Sequence, residues 1–279
     1  MKTVDLGLGG GSLLQIANRE HTQMMAYMIK TDDGKIIMID SANYKRPKDA
    51  ENLYNLIKEN GGRVDAWFIT HAHSDHIGGL VYIWEKYGND IQIDELIYDF
   101  PAYDWLCEKN SSHEMFCVDM FLKYSKEFGI KVTKPTKGMV FDYTVKIEVL
   151  NSLLPNYRNY EDVNDSGICF KAHFKNRQVL FLGDLGVSAE DDFIEEAKDK
   201  LECEIVQMAH HGQDGVTEKV YNLIKPKVCL WCAPDWLWDN DNGGGIDSGE
   251  WKTLETRAWM DKLGVKEHYV IKDGDILFI

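Results

Sequence analysis

The chain has 279 residues and carries 46 acidic against 31 basic side chains, a formal net charge of −15. Hydrophobic residues make up 44% and charged residues 28%, a globular balance, and no apolar run approaches the ~20 residues that a membrane-spanning helix needs. The acidic surplus repels polyanions and argues against a nucleic-acid partner; no signal-peptide pattern opens the chain, so a cytoplasmic location is expected.

Residues 35–40 read as an apolar strand closed by Asp40, followed by a helix over 47–60 with Pro47 in its first turn and Gly61-Gly62 beyond its end. Strand 64–70 runs directly into a histidine cluster, and 78–87 carries Leu80, Ile83 and Trp84 at helical spacing. The cluster therefore lies at a strand-to-helix turn. Strand 95–100 and helix 113–128 follow. The second half opens with strand 145–150, then strands 168–174 and 178–182 joined as a hairpin by Lys175-Asn176-Arg177, the second ending in Gly183-Asp184. A helix within 188–201, strand 204–208, the pair His210-His211, helix 217–224, strand 227–232, helix 250–263 and strands near 268–271 and 275–279 complete the pattern. No linker interrupts it, so a single domain over 1–279 is expected, built of two similar α/β halves at about 1–140 and 141–279. Such halves imply two mixed sheets face to face with helices outside, an αββα sandwich, and a site along one edge where strand ends deliver polar residues. The six cysteines are scattered; Cys229 and Cys232, three apart on a strand, point to opposite faces and read as packed thiols.

The segment Thr70-His71-Ala72-His73-Ser74-Asp75-His76 concentrates four potential metal ligands. Neutral imidazole and carboxylate bind zinc and similar divalent ions, and alternation on an extended segment lets His71 and His73 face one ion while Asp75 and His76, past the turn, face a second. Two nearby cations need a shared anionic ligand, a part that Asp184 suits, and water bound to them ionises near neutral pH into a nucleophile. His210 and His211 leave their strand in different directions, so one of them is expected to bind metal and the other to reach substrate or a hydrogen-bond partner.

The motif resembles H-x-H-x-D-H of the metallo-β-lactamase superfamily, and the resemblance extends from about residue 12 to 279. Asp40 is similar to the family's buried aspartate at the end of an early strand, Asp184 to its bridging carboxylate, and His210-His211 before Gly212 to its late metal histidine. The resemblance implies a metallo-β-lactamase-like αββα fold and two divalent ions, zinc first with manganese or iron as alternatives. Their ligands would be His71, His73, Asp75, His76, Asp184 and one of His211 and His210. A ligand followed by glycine recurs in relatives, which favours His211. Asp75 and His210 are the catalytic candidates.

One departure stands out: many relatives carry another metal histidine midway along the chain. Here only His113, in an expected helix, and His173, inside a strand at its far end, are available. The corresponding region reads Asn164-Asp165-Ser166-Gly167, and Asn164 and Ser166, with Asp40, are expected to support the centre. This departure, with Leu-Gly-Asp and His-His-Gly, is similar to the branch holding the hydrolase-like domain of bacterial DNA-uptake channel proteins and phosphorylcholine esterases. That likeness implies a small phosphate ester or phosphodiester as substrate; a lactam, lactone or thioester carbonyl on the same metals, or a non-catalytic metal-bearing ligand module, are the alternatives. Near the end, five of the eight tryptophans (Trp231, Trp236, Trp238, Trp251, Trp259) crowd among Asp235, Asp239, Asp241 and Asp247. Either this is a loop packed over the core, or Trp236 and Trp238 stack on a substrate's base, sugar or cationic group.

Overall fold

A computed structural model describes residues 1–279 and resolves them into two large sheets with helices on their outer faces. The first sheet has eight strands in the order Lys2–Val4, Ile276–Phe278, Gly11–Gln15, Tyr27–Thr31, Ile36–Ile39, Ala66–Phe68, Glu95–Ile97 and Lys131–Thr133. The second has seven: Val140–Phe141, Lys146–Val149, Phe170–His173, Gln178–Phe181, Ile205–Gln207, Val228–Trp231 and Glu267–Val270. Both are mixed. Ile36–Ile39 pairs antiparallel with Tyr27–Thr31 and parallel with Ala66–Phe68, and Gln178–Phe181 pairs antiparallel with Phe170–His173 and parallel with Ile205–Gln207. This is the αββα arrangement of the metallo-β-lactamase fold.

The layering follows from strands that are apolar on both faces, as central strands of covered sheets are. Ile37, Ile39 and Phe68 pack against Ile147, Phe170, Val179 and Phe181 of the other sheet. Their neighbours Ile36 and Met38 turn outward to Leu53, Ile57, Leu80 and Trp84 of the helices Pro47–Glu59 and Ser74–Tyr87. Across the molecule Leu180 and Val206 face Phe193, Val220 and Met260 in the same way. Cys229 belongs to the outer layer and Cys232 to the layer between the sheets, as the two-residue period requires. No helix is long and apolar enough to cross a membrane.

Several expected boundaries move for identifiable reasons. Residues 64–70 form two strands, Arg63–Val64 in a small two-stranded sheet and Ala66–Phe68 in the large one, with Asp65 between them. The Asp65 carboxylate accepts from Ile36 N at 2.9 Å and pairs with Lys35 Nζ at 2.9 Å, so the chain changes sheets there. The helix expected from 78 begins at Ser74, which places Asp75 and His76 in its first turn. The closing strand, Ile276–Phe278, lies in the first sheet, although the rest of that sheet comes from the first half of the chain. Strands Lys2–Val4, Gly11–Gln15 and Tyr27–Thr31 and the helix Tyr103–Lys109 were not expected from the pattern.

The helix Ser74–Tyr87 is pinned to the loop after strand Ile36–Ile39. Ser41 Oγ donates to the His76 carbonyl at 2.7 Å and accepts from Leu80 N at 3.3 Å, and Gly79 N donates to the Ala42 carbonyl. A Cβ on Gly79 would stand 2.8 Å from the Cβ of Ala42, so only glycine permits this approach. Gly79→Ala is expected to destabilise the fold by about 1–3 kcal/mol, the usual range for overpacking, read as a lowered denaturant midpoint with unchanged m-value.

Candidate metal centre

Four loops bring the polar residues together at one edge of the sandwich. Ile36–Ile39 ends in Asp40, Ala66–Phe68 leads to Thr70 and His71, Gln178–Phe181 to Asp184, and Ile205–Gln207 to His210 and His211. Three of these residues adopt left-handed backbone, Asp40 (φ 53°), His210 (φ 50°) and His211 (φ 56°), a conformation kept in non-glycine residues only where the surroundings enforce it. Gln207, fully buried, fastens two of the loops: its Oε1 accepts from Leu182 N and Gly183 N, each at 2.8 Å, and its Nε2 donates to the carbonyls of Gly183 and Met208.

Asp75, His76, Asp184 and His211 each turn one ligand atom inward, and these atoms lie within 4.8 Å of one another. His76 Nε2 and His211 Nε2 both stand 3.1 Å from Asp184 Oδ2, and His211 Nε2 is also 3.1 Å from Asp75 Oδ2. Hydrogen bonds on the far side of each ring fix the tautomers. His211 Nδ1 faces the Cys232 carbonyl at 3.0 Å, and His76 Nδ1 faces Asp40 Oδ2 at 2.7 Å. Both partners only accept, so each neutral ring carries its proton on Nδ1 and presents a lone pair at Nε2. His76 Nε2 and Asp184 Oδ1 are buried with no hydrogen-bond partner. With both rings neutral, two lone pairs and two carboxylates are aimed at one buried point, a donor set that fits a divalent cation.

The same logic extends to His71. The single proton of the Thr70 hydroxyl goes to Asp40 Oδ2 at 2.7 Å, while Asp40 Oδ1 accepts from Thr70 N at 2.8 Å. Toward His71 Nδ1, 3.0 Å away, the hydroxyl can only accept, which leaves His71 Nε2 unprotonated and 3.2 Å from His73 Nδ1. That separation suits two ligands of one cation. Without a cation, charge must settle on the rings. Burial opposes protonation of His211, but Asp184 and Asp75 outweigh it and raise its pKa to about 9. Burial likewise opposes ionisation of Asp184, yet His211 and His76 hold it well below the usual carboxylate range. His71, buried beside His76 and His73, is pushed well down.

A family model described as the metallo-beta-lactamase superfamily matches residues 22–228. The chain belongs to the metallo-β-lactamase superfamily. Membership fits a divalent-metal centre at the converging residues described above. YhfI, a metallo-β-lactamase fold protein from Bacillus subtilis, is similar over 94% of this chain and 96% of its own, at 11% identity and a TM-score of 0.53. CmlA, a diiron β-hydroxylase from Streptomyces venezuelae, is similar over 94% of this chain and 53% of its own, at 12% identity and a TM-score of 0.54. This chain thus spans about half the length of CmlA. At these identities the likeness is one of fold.

Within the superfamily site, the remaining expected residues divide. His210 stays outside the inward-facing quartet: its Nε2 lies 3.3 Å from Asn164 Nδ2, and the Asn164 Oδ1 is buried without a partner. Ser166 Oγ donates to the Val163 carbonyl at 2.6 Å and so holds the turn Val163–Ser166. His173 pairs with Glu148 at 2.9 Å at the far end of its strand, and His113 sits on helix Ser112–Glu127 against Tyr44, neither joining the cluster. Trp238 has its ring under the Arg257 guanidinium, 4.0 Å from the centroid, and against Trp231, so it is already packed. Trp236 is half-buried on Trp251, its indole N–H donated to the His21 carbonyl at 2.8 Å. Asp162, which the sequence did not single out, lies 3.9 Å from His73 Nε2. A carboxylate opening a short turn just ahead of Asn164 was the available signal.

Asp184→Asn is expected to reduce bound metal at both positions, because Oδ2 faces His76 and His211 and Oδ1 is free for the other ion. His210→Ala should keep the wild-type metal content. Elemental analysis of protein purified under metal-replete conditions reads both.

Proposed function

We propose that the protein is a binuclear hydrolase acting on a small phosphate ester or phosphodiester. The observation that carries the metal assignment is the buried convergence of Asp75, His76, Asp184 and His211, with His76 Nε2 and Asp184 Oδ1 left without a hydrogen-bond partner. Those four residues would hold one ion, zinc being the first expectation with manganese or iron as alternatives. His71, His73 and Asp184 would hold the other, with the unpartnered Asn164 Oδ1 in place of the missing histidine, while Asp162 faces the far nitrogen of His73. Divalent ions there supply an ionised water near neutral pH and polarise the scissile group's oxygen.

The chain's own residues do the rest. Asp40 and the Cys232 carbonyl keep His76 and His211 in the tautomers that leave Nε2 free. The His210 imidazole and the Asn164 amide, side by side at the rim, can hold an anionic oxygen and move a proton to or from it. Of the two tryptophans, Trp236, half-buried on Trp251 and tied to the His21 carbonyl, is kept as the substrate contact, because Trp238 is packed under the Arg257 guanidinium. Phosphate rather than carbonyl chemistry is favoured by the Leu-Gly-Asp and His-His-Gly segments and their likeness to the phosphodiester-cleaving branch. The net charge of −15 favours a small substrate over a polyanion.

A panel of bis-p-nitrophenyl phosphate, a choline phosphodiester, a lactam, a lactone and a thioester, each assayed with zinc, manganese and iron, separates the readings. Turnover of a small diester that His210→Ala lowers by about 10²–10⁴-fold, the range for loss of a proton-transfer group, is the expected result. Trp236→Ala should weaken substrate binding several-fold without altering metal content. Preferential cleavage of a carbonyl substrate, or efficient degradation of DNA at physiological salt, would replace this assignment.

Graded chelation gives a further expectation. The ion between His71 and His73 should leave first, because those two histidines lack a third imidazole. Simultaneous loss of both ions would show that another group completes that position.

A further inference from the structure

We infer that Glu114 is a positioning residue for the metal centre, capping from outside the helix that carries Asp75 and His76. The inference rests on the reading of His71, His73, Asp75 and His76 as metal ligands. It begins from a local rule that the molecule breaks. Ser111-Ser112-His113-Glu114 has the S-x-x-E form of a capping box, in which the serine side chain caps the helix and the glutamate side chain returns to the serine N–H. Ser111 does its part: its Oγ accepts from Glu114 N at 3.3 Å at the start of helix Ser112–Glu127. Glu114 does not return the bond. One carboxylate oxygen accepts from Ser74 N and the other from Ser74 Oγ, the latter at 2.8 Å.

Ser74 is the first residue of helix Ser74–Tyr87, and it is buried. The N-cap position of that helix is His73, whose side chain makes no capping bond. Its imidazole is directed at His71 instead, 3.2 Å from Nδ1 to His71 Nε2. A residue reserved for metal cannot also cap, and a helix N-terminus left bare in a buried place keeps unpaired donors. Glu114 resolves the conflict by accepting the Ser74 N–H and placing a negative charge at the positive end of the helix. Asn43 Nδ2, 3.5 Å from Ser74 Oγ, marks the same spot from the loop after strand Ile36–Ile39. Glu114 thereby fixes the angle between the extended segment bearing His71 and His73 and the first turn bearing Asp75 and His76, which sets the spacing of the two groups of ligands.

The test uses the full chain, stripped of metal and titrated with zinc against a competing chelator, alongside hydrogen exchange of the metal-free protein at residues 74–77 and thermal unfolding. Glu114→Ala should lower zinc affinity by about 10–100-fold, the usual effect of losing a group that orients a ligand, and should speed exchange at Ser74. Glu114→Gln, which keeps one acceptor, should fall between it and wild type. Ser111→Ala removes the cap of the other helix and should lower the melting temperature without shifting zinc affinity. Zinc affinity within twofold of wild type in both Glu114 variants would overturn the inference, whatever the change in melting temperature. If Glu114→Ala does not fold, Glu114→Gln decides alone on the same two readouts. Failure of the wild-type protein to bind zinc, manganese or iron would instead overturn the metal reading. Exchange at Ser74 in metal-free Glu114→Gln would then still decide whether the cap exists, unchanged exchange overturning it.

Discussion

The structure depends on one electrostatic constraint: several acceptor atoms are made to face one another at a buried point. Asp40 and the Cys232 carbonyl take the far-side protons of His76 and His211, and Thr70, having given its own proton to Asp40, takes that of His71. Every one of these bonds removes a donor from the centre. Buried charges and lone pairs of like sign at 3.1 Å cannot persist unless something positive answers them. In the absence of metal the answer is protonation, which explains the upward displacement of His211; with metal it is the cation. The backbone has been bent to suit, with Asp40, His210 and His211 all held in left-handed conformation at the ends of their strands.

The sequence reveals the residue types of this centre more readily than their orientation. The apolar runs 35–40, 168–174 and 227–232 stand out because both faces of those strands are buried, and the ligand-bearing segments follow from where such strands end. Orientation is another matter. The glycine after His211 favours that ring only by resemblance; what physically turns it inward is the Cys232 carbonyl, 21 residues away. The start of helix Ser74–Tyr87 was hidden because the helical spacing shows only from Leu80, Ile83 and Trp84 while residues 74–76 read as ligands; Gly78 and Gly79 admit the backbone of Tyr44 and Ala42. The N-terminal strands are short and lie on either side of a glycine cluster, so their pattern is weak until partners supply it. The tryptophan-rich segment was open between packing and binding, and the Arg257 guanidinium over Trp238 is a contact that no local pattern could announce.

A fold that houses a diiron β-hydroxylase in CmlA as well as hydrolases leaves the choice of reaction to what surrounds the metals. In this chain that surrounding is distinctive on one side only. The Asp75, His76, Asp184 and His211 cluster is closed in by the sheets and by bonds from behind. The opposite side is formed by the short turn Val163–Ser166 with Asp162, Asn164 and His210, of which His210 and Asp162 retain solvent access. Differences in reactivity among relatives of this architecture have most room to arise on that open side, where a side chain can change without disturbing the layers.

The placement of Ile276–Phe278 between Lys2–Val4 and Gly11–Gln15 bears on how the molecule comes to exist at all. Gly11–Gln15 gains the strand that covers its open edge only when a segment far along the chain returns to it. Until then the first sheet has a bare row of amides and carbonyls, a template for pairing with another chain. Closing so long a loop is slow. Completion of the first sheet is therefore a late folding event, and the surplus of negative charge works against pairing of separate chains through that edge in the meantime.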